Sequence, residues 1–160
     1  MQQAETLCAA LSDETRVCRA LADALRREQR AVVELRADAV LASLTERTEL
    51  GAALADAAAR RRAAAGALAS TLGAGKAPAN AILPLLPVPA RGRVRAGMRD
   101  VRRALLEARG LERQNALLAR ASLASVDELL AMLRAHVPGA RYGADARVEA
   151  PLPERVDRRA

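Results

Sequence analysis

The sequence predicts an all-α protein: three long helices forming an elongated antiparallel helical bundle or coiled coil, with a flexible C-terminal tail. Two features of its composition support this. Ala, Leu and Arg dominate the 160 residues, and all three favour helix. The chain has no Trp, no Phe and a single Tyr, so it lacks the aromatic volume of a thick globular core. The third observation is a heptad spacing of apolar residues near the N-terminus.

The first predicted helix covers residues 3–36. Its large apolar residues recur at alternating steps of three and four, and Glu14 and Glu28 fill the two missing steps. We expect each glutamate to pair with an arginine on a neighbouring helix, or to lie where the neighbour has ended. The apolar members of this seam are Leu7, Leu11, Cys18, Leu21, Leu25, Val32 and Leu35.

The second predicted helix covers residues 39–72, with Asp38 as a possible N-cap. No Gly or Pro enforces a stop before it, so a tight turn and a continuous or kinked helix are all compatible with the sequence; a turn or kink is favoured. Gly73 and Gly75, followed by Pro78, predict a definite end to this helix.

Residues 77–93 form a predicted proline-rich linker, because four prolines forbid a regular helix through most of it. The linker is nevertheless apolar, with Ile82, Leu83, Leu85, Leu86 and Val88. Two interpretations are open: the segment packs over one end of the bundle, or it binds a partner protein.

The third predicted helix covers residues 94–137 and ends at Pro138-Gly139. Its seam is interrupted by Asn115 and Ser122, and a buried Asn can fix the register of packed helices at some cost in stability. Residues 138–160 show no periodicity and are predicted to be a flexible tail. The predicted organisation is a helical bundle over residues 1–137, followed by this tail.

The sequence gives little support for a catalytic site or a metal site. His136 is the single histidine, so no His-containing triad or metal cluster can be proposed, and we expect neither an enzyme nor a cofactor. Cys8 and Cys18 lie about 15 Å apart if they share a helix, too far for a disulfide, and are expected to be reduced. No apolar run approaches the ~20 residues of a membrane span, and no signal peptide is recognisable.

The formal net charge of +7 has two interpretations. A basic chain can bind nucleic acid. Alternatively, an excess of Ala and Arg with one Lys is typical of a GC-rich coding sequence, and this interpretation is favoured. The arginines occur in short clusters separated by acidic residues, and no aromatic residues are available to stack on bases. We therefore do not expect nucleic acid as a partner.

The third helix and the tail contain a distinctive series of short motifs. They are residues 115–118 (Asn-Ala-Leu-Leu), residues 122–126 (Ser-Leu-Ala-Ser-Val), the leucines at 129, 130 and 133, and residues 142–145 (Tyr-Gly-Ala-Asp). In these motifs the chain resembles the FlgN family of flagellar export chaperones. The first helix, the acidic break near Asp38 and the second helix are also similar to the family. Ala146 departs from it, since the family often has a second glycine there.

The resemblance implies a cytoplasmic chaperone for the hook-associated proteins FlgK and FlgL, which join hook and filament. Such a chaperone prevents their premature assembly and delivers them to the flagellar export gate and ATPase complex. Recognition would place a substrate helix on an apolar stripe of the third helix. The alternative is that these residues pack within the protein's own bundle. The candidate substrate-binding residues are Asn115, Leu118, Ser122, Leu123, Val126, Leu129, Leu130, Leu133, Tyr142 and Gly143.

Tyr142 has two open interpretations: an anchor for the substrate or the export gate, or a side chain folded back over the end of the bundle. A second class of function is a structural coiled-coil or scaffold protein that forms homo-oligomers, and a homodimer is possible under either interpretation. A basic nucleic-acid-associated protein is the third and weakest class.

Overall fold

A computed structural model describes residues 2–75 and 79–136, together with the backbone of residues 141–142 and 148–149. Three long helices dominate it: α1 (Gln2–Val33), α2 (Ala37–Thr71) and α4 (Val88–His136). A four-residue helix α3 (Ala79–Ile82) and a 3-10 turn (Leu83–Leu85) connect α2 to α4. The predicted all-α fold is confirmed. Residue contacts divide the chain into two units, Met1–Leu118 and Ala119–Ala160.

In the first unit, α1 and α2 run antiparallel, because residue numbers on α2 fall as those on α1 rise along the ion pairs between them. Arg61 Nε on α2 pairs with Glu14, and Arg47 Nη1 lies 3.2 Å from Glu28 Oε1. Arg27 Nη2 lies 2.6 Å from Glu46 Oε1 beside the second of these pairs. The short helix-to-helix connection requires this antiparallel arrangement.

The part of α4 in the first unit runs parallel to α1. Gly97 lies against Leu11, whereas the Asn115 amide lies against Leu25, so numbers rise together on the two helices. A Cβ added to Gly97 would approach Leu11 Cβ to 3.1 Å, which shows how closely the two helices pack there. The unit is therefore an up-down-up three-helix bundle, whose buried positions are filled largely by Ala, Leu and Val.

The predicted seam of α1 is buried from Leu7 to Glu28. Glu14 and Glu28 are 2% and 8% exposed, and each pairs with an arginine of α2, as predicted. Such pairing is required, because an isolated buried carboxylate would be strongly destabilising. The seam does not continue to Leu35, which is 91% exposed, because α1 ends at Val33.

A turn, and not a kink, separates α1 from α2. Leu35 adopts a left-handed φ of 55°; its N–H bonds Val32 O at 3.1 Å, and the Arg36 N–H bonds Ala31 O at 2.9 Å. This is a Schellman motif with leucine at the position that usually holds glycine. The predicted N-cap at Asp38 is wrong. The α2 helix begins at Ala37, so Asp38 lies in its first turn, where a negative charge interacts favourably with the helix dipole.

The end of α2 agrees with prediction and forms the corresponding Schellman motif at Gly73 (φ 68°). The Gly73 N–H donates to Ser70 O, and the Ala74 N–H donates to Ala69 O. The predicted loop 77–93 needs correction, because residues 79–85 are helical and α4 begins at Val88 and not at residue 94. The prolines permit this since Pro84 and Pro89 each lie in a first helical turn, where the missing N–H would have no intrahelical partner.

The connection between α2 and α4 packs on the bundle, which supports the first of its two interpretations. Ile82 is fully buried, and Leu83 and Leu86 are 9% and 4% exposed. They share a core cluster with Leu7 and Leu11 of α1. Leu85 and Val88 remain exposed.

The second unit contains the end of α4 and two short antiparallel strands, β1 (Arg141–Tyr142) and β2 (Val148–Glu149). Tyr142 pairs with Val148 in this ladder. The rest of the predicted tail, residues 138–160, lies outside the described residues. Residues 119–135 of this unit are exposed apart from the half-buried Leu130.

Candidate functional site

An exposed apolar face lies on α4 in the second unit. Five large apolar side chains of this short stretch are at least half exposed: Leu123 (65%), Val126 (51%), Leu129 (59%), Met132 (50%) and Leu133 (51%). Ser122, Val126, Leu129 and Leu133 follow one another at steps of four, three and four, so they share one side of the helix. Single exposed leucines are ordinary, but a contiguous row of exposed apolar side chains is typical of interaction surfaces.

The exposed row continues a series of helical positions that is buried earlier on α4. In the first unit, Val101, Ala104, Ala108 and Asn115 occupy this series and are all under 9% exposed. In the second unit the same series is occupied by Ser122, Val126, Leu129 and Leu133, which are exposed. Within its described residues, the second unit contains no second helix that could cover them.

The predicted site residues divide into three groups. Ser122, Leu123, Val126, Leu129, Leu130 and Leu133 share the face described above, hereafter the α4 apolar face; all are exposed except the half-buried Leu130. Asn115 is buried and Leu118 half-buried in the first unit. Tyr142 lies in β1, and neither its side chain nor Gly143 is described.

Asn115 forms part of the bundle interior. Its Nδ2 donates to Leu25 O at 2.9 Å and to Glu28 Oε2 at 3.4 Å. Glu28 also receives Arg47, so the three side chains form one polar layer across α1, α2 and α4. This agrees with a register-setting role for Asn115. Its Oδ1 is buried and, among the described residues, has no hydrogen-bond donor.

Charges around the α4 apolar face are balanced. Residues 119–135 contain two arginines and two acids, namely Arg120, Arg134, Asp127 and Glu128. The face therefore offers apolar contact with little electrostatic preference, which suits an amphipathic helix laid along it. Met132, three residues after Leu129 and next to Leu133, lies at the edge of this face.

The described part of the chain has few residues that could serve in catalysis or metal binding. Cys8 and Cys18 are free thiols, and burial raises the pKa of each, so both are protonated at neutral pH. Among the described residues, no cluster of His, Cys, Asp or Glu could hold a metal ion. None of the described helices has the length and apolar character of a membrane span.

Comparison with known proteins gives one match. The model of the FlgN family, described as FlgN protein, matches residues 1–150, which includes all three long helices and both strands. No curated protein and no solved structure is significantly similar to the chain. A match over nearly the whole length shows the family, and the chain therefore belongs to the FlgN family of flagellar export chaperones.

Proposed function

We propose that this chain is a cytoplasmic chaperone for the hook-associated proteins FlgK and FlgL, and that it binds them through the α4 apolar face. The chaperone keeps the two proteins from assembling early and delivers them to the flagellar export gate and ATPase complex. The observation that carries the proposal is the row of exposed apolar side chains at Leu123, Val126, Leu129 and Leu133. Family membership supplies the biological setting.

The mode of recognition follows from the shape and chemistry of the face. A helix from the substrate lays its apolar side along residues 122–133 and buries the leucines against its own apolar residues. Apolar burial contributes roughly 25 cal/mol for each Å² removed from water, so a few leucines supply most of the affinity. Met132 adds an adaptable side chain at the edge of the face.

The proposed contacts are the exposed residues of the α4 apolar face together with Tyr142 and Gly143, which enter by resemblance to the family. Asn115 is excluded from this surface because it is buried and bonded to α1. Leu118 is half-buried within the first unit and is also excluded. Neither catalysis nor a cofactor forms part of the proposal.

Leu129→Glu tests the proposed surface. Placing an unpaired carboxylate in an apolar interface costs roughly 3 kcal/mol, which corresponds to about 100-fold weaker binding of FlgK or FlgL. Leu129 is 59% exposed, so the free energy of unfolding should change by less than about 0.5 kcal/mol. Co-purification and calorimetry measure binding, and urea denaturation measures stability.

Ala124→Glu is the matched control. It adds the same charge to the same helix, but Ala124 lies almost opposite Val126 around the helix axis. Ala124→Glu should change the Kd for FlgK or FlgL by no more than about twofold, which corresponds to less than about 0.5 kcal/mol. Equal losses from both variants, or no complex between the parent protein and either substrate, would refute the proposal. Self-association abolished by Leu129→Glu, without substrate binding, would favour the scaffold alternative.

A further inference from the structure

A second surface lies in the first unit, in a groove formed by α2 and α4. The groove has a volume of about 400 Å³. Its lining combines apolar side chains with guanidinium groups, a combination absent from the α4 apolar face. The lining residues are Leu11 of α1, Arg61 of α2, and Met98, Val101, Arg102, Leu105, Leu106 and Arg109 of α4.

The groove is strongly basic. Arg61 pairs with the buried Glu14 and remains 31% exposed. Arg102 and Arg109 are exposed and form no ion pair within the described residues. Leu106 is 58% exposed beside them. An apolar side chain and unpaired cations in one concave surface indicate a ligand that carries both apolar and acidic groups.

The basic character extends along α4. Arg95, Arg99, Arg102, Arg109 and Arg113 are separated by steps of four, three, seven and four, so they lie on one side of the helix. All five are exposed. The stripe is about 27 Å long, equivalent to five helical turns.

The acidic residues nearest in sequence do not neutralise this stripe. Asp100 Oδ1 lies 2.8 Å from Arg103 Nη2, and Glu107 pairs with Arg26 of α1. Glu112 lies between two arginines of the stripe in sequence but does not line the groove. The charges of α4 are thus segregated: Asp100 and Glu107 are in ion pairs, whereas Arg102 and Arg109, at the groove, form none within the described residues.

We propose that this α2–α4 groove docks an acidic amphipathic helix of a partner protein. The leucines of that helix would contact Met98, Leu105 and Leu106, and its carboxylates would pair with Arg102 and Arg109. Concavity favours a helix over a flat lipid surface. The chain has no Trp or Phe to stack on nucleic-acid bases, which favours a protein ligand over a nucleic acid.

The test uses the full-length chain and a synthetic helical peptide of about 18 residues, long enough for five turns. The peptide carries Leu at helical spacing on one face and Glu along its flanks, and a second peptide carries Gln in place of every Glu. We expect the Glu peptide to bind, the Gln peptide to bind at least tenfold more weakly, and affinity to fall as salt rises. Fluorescence anisotropy measures all three.

Arg102→Glu should weaken binding of the Glu peptide at least tenfold. Arg103→Glu is the matched control, because it makes the same change in charge about 100° around α4, at a residue that does not line the groove. It should have less than a twofold effect. Leu106→Ala should weaken binding several-fold without any change in charge. Thermal unfolding followed by circular dichroism establishes that the variants are folded.

Three results would overturn the inference. The first is no binding of the Glu peptide at low salt. The second is an equal effect of Arg102→Glu and Arg103→Glu. The third is tighter binding, with the same Arg102 dependence, of phosphatidylglycerol vesicles or duplex DNA. Arg102→Glu should also leave FlgK and FlgL binding unchanged; if it abolishes that binding, the groove belongs to the substrate surface and is not a separate docking site.

Discussion

Asn115 shows how one residue can carry two conflicting interpretations until its surroundings are known. Its position on an apolar seam is compatible with a register-setting Asn or with a polar contact to a substrate. The bonds to Leu25 O and Glu28 Oε2 support the first, since they require one alignment of α4 against α1. If α4 were shifted by one turn along α1, the Asn115 amide could no longer donate to Glu28.

Asn115→Asp tests this role. The substitution keeps the shape but removes the donor and places a second carboxylate beside the buried Glu28. We expect the free energy of unfolding to fall by about 3 kcal/mol, the usual cost of an uncompensated buried charge. Urea denaturation measures the change. The exposed neighbour Gln114 provides the control, since Gln114→Glu adds the same charge and should change stability by less than about 0.5 kcal/mol. Equal losses would contradict a structural role for Asn115.

At the scale of elements, the turn between α1 and α2 places a leucine in a strained backbone conformation that glycine would adopt without strain. Leu35 occupies a left-handed conformation in which its Cβ is unfavourable, and its side chain is 91% exposed and makes little apolar contact in return. The turn nevertheless forms because the packed antiparallel faces of α1 and α2 require a reversal of the chain there.

Leu35→Gly should therefore raise the free energy of unfolding by about 1 kcal/mol, because glycine has no Cβ penalty in this conformation. Thermal or urea denaturation measures the gain. Val33→Gly serves as the comparison, because Val33 lies two residues earlier and is still helical. It should not raise the free energy of unfolding, since glycine destabilises a helical position. A loss of stability in Leu35→Gly would show that its exposed side chain, and not its backbone, matters to the fold.

Elements were predictable where the periodic pattern is long. The α1 seam from Leu7 to Glu28, with both glutamates paired to arginines, follows from heptad spacing and the cost of burying a charge. Element ends were less predictable. In a sequence, a proline in the first turn of a helix cannot be told from a proline in a loop. The sequence therefore predicts a loop at residues 79–93, where the structure has helical turns. Leucine at a Schellman turn gives no sequence signal at all.

At the scale of the whole molecule, the sequence indicates which residues form the candidate site but not which of them are exposed. Helical spacing identifies the residues of the α4 apolar face, yet it cannot tell a seam covered by another helix from one that is exposed. The same spacing assigned Asn115 and Val126 to one set, and the structure separates them by burial. Likewise, the arginines of α4 look dispersed in the linear sequence, and only their helical positions reveal one basic side.

The two units therefore offer surfaces of different chemistry, one apolar and one that combines arginines with apolar residues. We propose that the first binds export substrates and that the second binds an acidic helical partner. A protein with two such surfaces could bind substrate and another component at once, provided that the arginines are not needed for substrate binding.

The most direct test is site-specific photocrosslinking in cells that express FlgK and FlgL. A photoreactive amino acid at Val126, on the α4 apolar face, should form an adduct with one or both substrates. The same amino acid at Ala124, two residues away on the other side of the helix, should not. Equal adducts from both positions, or adducts from Val126 with a second copy of this chain alone, would contradict the claim that this face binds export substrates.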